Sequence, residues 1–160
     1  MRDAEAIARI RREDGVREGV LALTSDRITV TEAFIESLGP ADRAFVAVEE
    51  GEVAGLGVII SRKTANRAHC AMIALMVSNE FQRHGIGHRL MKEIIDCADE
   101  ELLLHRLELL VLTDNEKAVN LYKKFGFMVE ATRRHAAAVH GEFADEYLMG
   151  RLRGEGRNGL

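Results

Sequence analysis

Two stretches of this chain carry residue types at spacings suited to chemistry. The first is Gln82-Arg83-His84-Gly85-Ile86-Gly87-His88. It follows an apolar run, Ala71 to Val77, and the polar turn Ser78-Asn79-Glu80. Beyond it Ile86, Leu90, Ile94, Ile95, Ala98 and Leu102 recur at helical spacing, with Lys92, Glu93, Asp96 and Asp99 mostly on the other face. The order is strand, Gly-rich turn, helix. Backbone amides in a helix's first turn have no partner inside the helix and carry the positive end of its dipole, so they can receive an anion. Gly85 and Gly87 keep side chains out of the way of a bulky phosphate, and Arg83 and His84 add positive or polarisable groups. A pyrophosphate is the natural ligand. The dinucleotide fingerprint needs a third glycine where Leu90 stands, and the P-loop needs Gly-Lys-Ser/Thr, so both nucleotide motifs are incomplete.

The second stretch is Asn115-Glu-Lys-Ala118-Val-Asn-Leu121-Tyr122-Lys-Lys-Phe125-Gly126-Phe127. Together the two resemble the GNAT superfamily of N-acetyltransferases, whose members carry a Gln/Arg-x-x-Gly-x-Gly/Ala loop and an Asn-x-x-Ala-x-x-x-Tyr-x-x-x-Gly-Phe segment. The resemblance runs from about Ala44 to Arg151, and more loosely back to Arg2. It implies that acetyl-CoA is the acyl donor, with its pyrophosphate on Gln82, Arg83, His84, Gly85, Ile86, Gly87 and His88. Backbone groups of Leu75, Met76 and Val77 would bind the pantetheine and the thioester oxygen, although their side chains read as plain core. Asn115 reads as a helix N-cap, and the resemblance adds a contact to the cofactor. Tyr122, two turns further along that face, reads as packing on its own; the resemblance makes it the general acid for the coenzyme A thiolate. Phe125, Gly126 and Phe127 read as a helix stop with aromatic plugs.

A third group, Arg133, Arg134, His135, His140 and Glu142, gathers around the last hairpin, near where family members place the acceptor. A charged, solvated hairpin is the simpler account of it. Gly141-x-Phe143-x-Asp145-x-x-x-Met149 resembles a branch of phosphinothricin-type and amino-acid N-acyltransferases.

The elements that must position these residues follow from pattern. Arg2 to about Glu13 reads as a helix with Asp3 as cap, and Val16, Val20, Leu21 and Leu23 as a further turn over the substrate side. Thr29 or Thr31 caps a second helix, stopped by Gly39-Pro40. Ala44–Glu49 and Val53–Ser61 read as a hairpin with Val46, Val48, Leu56, Val58 and Ile60 turned to the core, and Arg67–Val77 as a third antiparallel strand. Arg106–Thr113 is a buried strand, parallel to Ala71–Val77 because a helix joins them. A helix over Asn115–Lys124 and a closing hairpin, Phe127–His135 with Glu142–Arg151, complete an α/β mixed sheet with helices on both faces. Splaying of the parallel pair is implied by the resemblance alone.

The chain has 160 residues, enough for one domain with its own core, expected over 1–151, with a Gly- and Arg-rich tail at 152–160 expected to be disordered. A composition of 47% hydrophobic and 30% charged residues is that of an ordinary soluble protein, and the net charge of -4 argues against a general nucleic-acid binder. No apolar run is long enough to span a membrane and no signal peptide is visible, so a cytoplasmic protein is the default. Cys70 and Cys97 read as reduced thiols, and the histidines as scattered, so no metal is expected.

Two features depart from the family. Only Met1 precedes the opening helix, so the usual first strand is expected to be missing; its neighbour would then expose unpaired backbone groups that a second copy could cover, as a homodimer. The run Ala71–Val77 holds no carboxylate, which leaves the general base unassigned. An N-acetyltransferase acting on a small or peptide amine is the leading expectation. A non-catalytic acyl-CoA-binding or sensing module of the same fold is the alternative, and a Gly-turn nucleotide-binding protein the third.

Overall fold

A computed structural model describes residues 2–16 and 28–155. The expected turn at Val20, Leu21 and Leu23 lies outside them. Helix α1 is Arg2–Arg11, with Asp3 and Glu5 in its first turn and Arg9 and Arg11 in its last, both favourable to the helix dipole. Asp3 therefore sits inside the first turn rather than at the cap. Helix α2 is Ile28–Glu36, so Thr29 and Thr31 are helical residues and not caps. Thr31 is buried and accepts a hydrogen bond from the Arg11 guanidinium at 2.9 Å, which ties α2 to α1.

The strands are β1 (Arg43–Glu49), β2 (Glu52–Ser61), β3 (Cys70–Val77), β4 (Arg106–Leu112), β5 (Met128–Val139) and β6 (Glu142–Leu152). Helix α3 (Ile86–Asp96) joins β3 to β4, and helix α4 (Glu116–Lys124) joins β4 to β5. Strand β3 starts later than expected because residues Ala65–Arg67 form a 3-10 turn. The six strands lie in the order β1-β2-β3-β4-β6-β5, and every neighbouring pair is antiparallel except β3 and β4. No described residue pairs with the outer edge of β1.

Alternation along the strands sorts the core into two layers. Ile59, Ala71, Ile73, Leu107, Leu109, Val111 and Met149 pack with Met91, Ile94 and Ile95 of α3. On the opposite face Leu56, Val58 and Met76 pack with Ile7 and Ile10 of α1, and Phe34 and Ile35 of α2. That second layer stops at β2. In β1 it is therefore Phe45 and Ala47 that face the core, whereas Val46 and Val48, expected inside, are 36% and 58% exposed. Two glycines let α3 settle on β2. A Cβ at Gly57 would lie 2.8 Å from Ile94 Cδ1, and one at Gly55 would lie 2.7 Å from the Met76 carbonyl.

After Asp96 the helix widens into a π-helical turn, Cys97–Glu101, that turns Asp99 inward. Asp99, read from the sequence as polar-face, is buried in a two-pronged ion pair with Arg151 at 2.9 and 2.7 Å. Arg151 also donates to the Phe125 carbonyl at 3.1 Å. The expected tail is in part structured: β6 runs to Leu152, and the Arg153 amide donates to the His105 carbonyl at 2.8 Å.

Candidate functional site

Strands β3 and β4 pair only at their beginnings, Cys70 with Arg106, Ala71 with Leu107 and Met72 with Glu108. Beyond that, β3 keeps its partners on β2 as far as Val77, and β4 keeps its partners on β6 as far as Leu112. The sheet therefore opens between them. The opening forms a cleft of about 610 Å³ that passes through the sheet, because its lining comes from both faces. Met76, Gly15 and Val16 line it on the α1 side, and Leu75, Leu121 and Tyr122 on the α3–α4 side.

At one end of the cleft lies the Gln82–His88 turn. Gln82, Arg83, Gly85, Ile86, Gly87 and His88 all line it, and His84 turns away beside Phe81. Arg83 and Gly85 both have left-handed backbone, φ 69° and 77°, a conformation that curls successive amides toward one point. Gly85 is the N-cap of α3 and offers no side-chain cap, so the first-turn amides look into the cleft without a partner from a capping side chain. The two glycines serve different needs. A Cβ at Gly85 would meet nothing within 4 Å, so the positive φ is what selects glycine there. A Cβ at Gly87 would instead press on Leu121 at 3.3 Å, in the wall between α3 and α4.

His84 and His88 stand four apart, but α3 begins only at Ile86, so they do not share a helical face. His88 packs on Phe125, with ring centroids 4.9 Å apart. Among the described residues no His, Cys, Asp and Glu cluster is arranged to hold a metal.

Helix α4 forms the far wall. Asn115 caps it, its Oδ1 accepting from the Ala118 amide at 3.2 Å, and it also lines the cleft. The helix ends in a Schellman motif: the Phe127 amide bonds the Tyr122 carbonyl, the Gly126 amide bonds the Lys123 carbonyl, and Gly126 has φ 88°. This stop fixes the last turn, which carries Tyr122. The Tyr122 ring is 7% exposed and meets Phe127 edge-on at 6.1 Å. Burial pushes its phenol up to about 12, so the group is neutral throughout the physiological range. Among the described residues its hydroxyl has no hydrogen-bond partner.

Sequence reasoning missed three cleft residues on α4, namely Lys117, Asn120 and Lys124. The signal available was the 117, 121, 124 spacing, which puts two cations on the face that carries Leu121. Lys117 donates to Gln82 Oε1 at 2.9 Å, and Gln82 Nε2 donates to Asn79 Oδ1 at 2.9 Å, so α4 is linked to the turn. It also missed Glu13, whose carboxylate accepts from Ser78 Oγ at 2.8 Å and the Asn79 amide at 2.6 Å. That clasp binds the chain after α1 to the end of β3.

The hairpin residues fare differently, since none of Arg133, Arg134, His140 and Glu142 lines the cleft. The β5–β6 hairpin overhangs β4, which ends at the Leu112–Glu146 pair. Glu142, four residues before Glu146, stands about 13 Å further out at about 3.3 Å per residue, with His140 in the turn beyond. Arg134 lies exposed in a bulge between Arg133 and Ala137. Arg133 is the exception in position: it stands beside Glu146, to which it is paired at 2.6 Å.

The profile of the Acetyltransferase (GNAT) family matches residues 6–127. L-amino acid N-acetyltransferase AaaT of Escherichia coli K12 is 34% identical over 114 residues, covering 71% of this chain and 70% of that protein. Spermidine N(1)-acetyltransferase of the same organism is 32% identical over 68% of this chain and 58% of its own length. The structure of yncA from Salmonella typhimurium with its cofactor acetyl-CoA superimposes with a TM-score of 0.82 over 94% of this chain and 88% of that one, at 21% identity. With a cleft opened by one splayed parallel pair and a family profile covering most of the fold, the chain belongs to the GNAT family of acetyltransferases and is an N-acetyltransferase.

Proposed function

We propose that the chain transfers an acetyl group from acetyl-CoA to the primary amine of a small amino-acid-like molecule or peptide. The observation that carries this reading is the through-sheet cleft itself. One end presents uncapped first-turn amides of α3 with Arg83, Lys117 and Lys124 around them, and the wall holds Tyr122 with its hydroxyl unpartnered among the described residues. A pyrophosphate suits the first, and each charge-assisted bond there contributes about 1.5–3 kcal/mol. Acetyl-CoA, when bound, supplies an activated thioester carbonyl. Backbone groups of Leu75, Met76 and Val77 orient it along the free edge of β3, Asn115 helps to hold it, and Tyr122 delivers a proton to the departing sulfur.

No Asp or Glu is among the described residues lining the cleft. An amine that is already partly neutral therefore suits this site. A peptide's α-amino group titrates near about 7.7–8.0 and a lysine amine near about 10.4, so at pH 7.5 roughly a third of the first is a nucleophile and only about one in a thousand of the second; free amino acids lie somewhat higher, which narrows the gap without closing it. The similarity to an L-amino acid N-acetyltransferase points the same way.

The donor site is tested by calorimetry with acetyl-CoA. Gly87→Glu adds bulk against Leu121 and a negative charge in the cleft; affinity is expected to fall at least about tenfold, or 1.4 kcal/mol. Unchanged affinity in a folded variant would refute the placement. The acceptor is tested with amino acids, peptides, lysine derivatives and polyamines across pH 6 to 10. Strong activity on polyamines at pH 7 with amino acids inert would overturn the amino-acid reading.

A further inference from the structure

Strand β1 forms one edge of the sheet and β5 the other. An open edge presents unpaired N–H and C=O groups and pairs with a matching strand unless something interrupts it. Strand β5 is interrupted twice. Its pairing with β6 shifts between Val129 and Ala131 and again between Arg133 and Ala137, with the extra residues on β5. Those bulges, with the charges of Glu130, Arg133 and Arg134, blunt that edge. Strand β1 has neither protection. The irregularity of the β1–β2 pair puts its extra residue, Ala54, on β2, so β1 runs unbroken from Arg43 to Glu49. Ala44 to Val48 carry no charge and no proline. Among the described residues nothing pairs with the outer side of β1.

The sequence of the strand, RAFVAVE, is matched in charge and size by its own reverse. A second copy laid antiparallel with Val46 opposite Val46 brings Ala44 opposite Val48, Phe45 opposite Ala47 and Arg43 opposite Glu49. Opposite residues then share a face of the sheet, as the pleat requires. Sliding the copy by one residue sets core-facing side chains against outward ones, and sliding it by two removes both ion pairs. The charged ends have capacity for the contact. Arg43 uses one terminal nitrogen on the Pro40 and Asp42 carbonyls, both at 2.8 Å, and Glu49 uses Oε2 on Arg89 at 2.7 Å. Val46 and Val48, 36% and 58% exposed, lie opposite Leu56 and Val53 of β2, and the second copy extends that apolar row.

We propose that β1 is the contact of a two-fold dimer, in which two copies of this chain join their sheets edge to edge about Val46. The contact is isologous, so it closes after two copies and leaves no further edge of its kind. In each protomer the cleft lies beyond β2 and β3 from the contact, so both clefts stay open. The dimer is independent of which amine is acetylated.

Sedimentation velocity of the full chain from about 5 to 500 µM is expected to show a monomer–dimer equilibrium, because a one-strand contact is at the small end of interface sizes. A monomer throughout would overturn the proposal. Arg43→Glu sets Glu against Glu at both ends of the contact, and Glu49→Arg sets Arg against Arg. Each alone is expected to weaken the dimer at least about tenfold. Mixed in equal amounts, the two variants place opposite charges together at both ends, and a mixed dimer within about threefold of wild type is expected. A merely structural role for either residue would not be restored by mixing, so folded variants that stay monomeric together would refute the register. Variants that dimerise as wild type does would move the contact elsewhere and overturn it. Val46→Cys tests the same contact without altering a charge. Opposite Cα atoms in an antiparallel pair are about 4.5–5.5 Å apart, within reach of a disulfide, so mild oxidation is expected to link the copies. Val30→Cys, exposed on α2, is the control and is expected to stay unlinked; equal linkage of the two would count against β1.

Discussion

At the scale of single residues, Tyr122 is buried against Phe127 and lines the cleft, so packing and proton transfer are both open to it and a variant separates them. A phenol whose pKa burial has pushed up to about 12 keeps its proton near pH 7, so it is present as a proton carrier, although a thiolate is the weaker base and must draw that proton against the difference in pKa. Tyr122→Phe is expected to lower kcat by about 10²- to 10⁴-fold with little change in KM, because the lost interaction belongs to the transition state. Turnover within threefold of wild type would return Tyr122 to packing against Phe127. The same burial sets a stability window. Unfolded tyrosine titrates near about 10, so between pH 10 and 12 the unfolded chain loses this proton while the folded chain keeps it, and stability falls as pH rises. Melting from pH 9 to 12 is expected to show a steeper loss for wild type than for Tyr122→Phe. That Asn115, Tyr122 and the Gly turn meet at one cleft was legible in the sequence because each position is bound to local order: cap, helix face, turn. The burial of Glu146 was not, because it depends on Leu112 and Arg133 from two other strands.

At the scale of elements, the six strands and four α-helices of the described region were visible as patterns, and the misreadings come from what periodicity leaves open or what interrupts it. Periodicity gives two faces to a strand without saying which is covered. In β1 that choice went to Val46 and Val48, and the covering helices α1 and α2 stop at β2. Asp99 was likewise placed on the polar face by a 3.6-residue period that the π-helical turn interrupts. Its ion pair with Arg151, together with the bond from Arg151 to the Phe125 carbonyl, joins the end of α3, the stop of α4 and β6. Arg151→Leu strips the buried Asp99 carboxylate of both bonds from the guanidinium, and a loss of about 3–5 kcal/mol is expected. Asp99→Leu with Arg151→Leu is expected to be milder than the single change, since no orphaned charge remains. Urea denaturation distinguishes these outcomes, and a double variant less stable than Arg151→Leu would show that the pair itself supplies the stability.

At the scale of the molecule, charge is distributed against the overall sign. The formal net charge is -4, which would repel a polyanionic donor, yet Arg83, Lys117 and Lys124 line the cleft with no carboxylate partner among the described residues. Elsewhere Arg62, Arg89, Lys92, Arg106, Arg133 and Arg151 are each held by an acidic side chain. Topology explains the asymmetry. The splay puts the N-terminal turn of α3 and one face of α4 at the same opening, so cations far apart in sequence converge there. The cations are exposed to solvent at a mouth, and the Debye length shortens from about 10 Å at 0.1 M salt to about 3 Å at 1 M. Their joint field therefore weakens with added salt. Affinity for acetyl-CoA is expected to fall several-fold between 0.05 and 0.5 M sodium chloride, estimated from the same screening. Lys117→Gln with Lys124→Gln is expected to cost about tenfold, or 1.4 kcal/mol, at the low salt and clearly less at the high salt. Calorimetry of both proteins at both concentrations decides it. A double variant whose deficit is as large at high salt as at low would mean that the two lysines act through packing or direct short contacts, and not through a field gathered at the cleft.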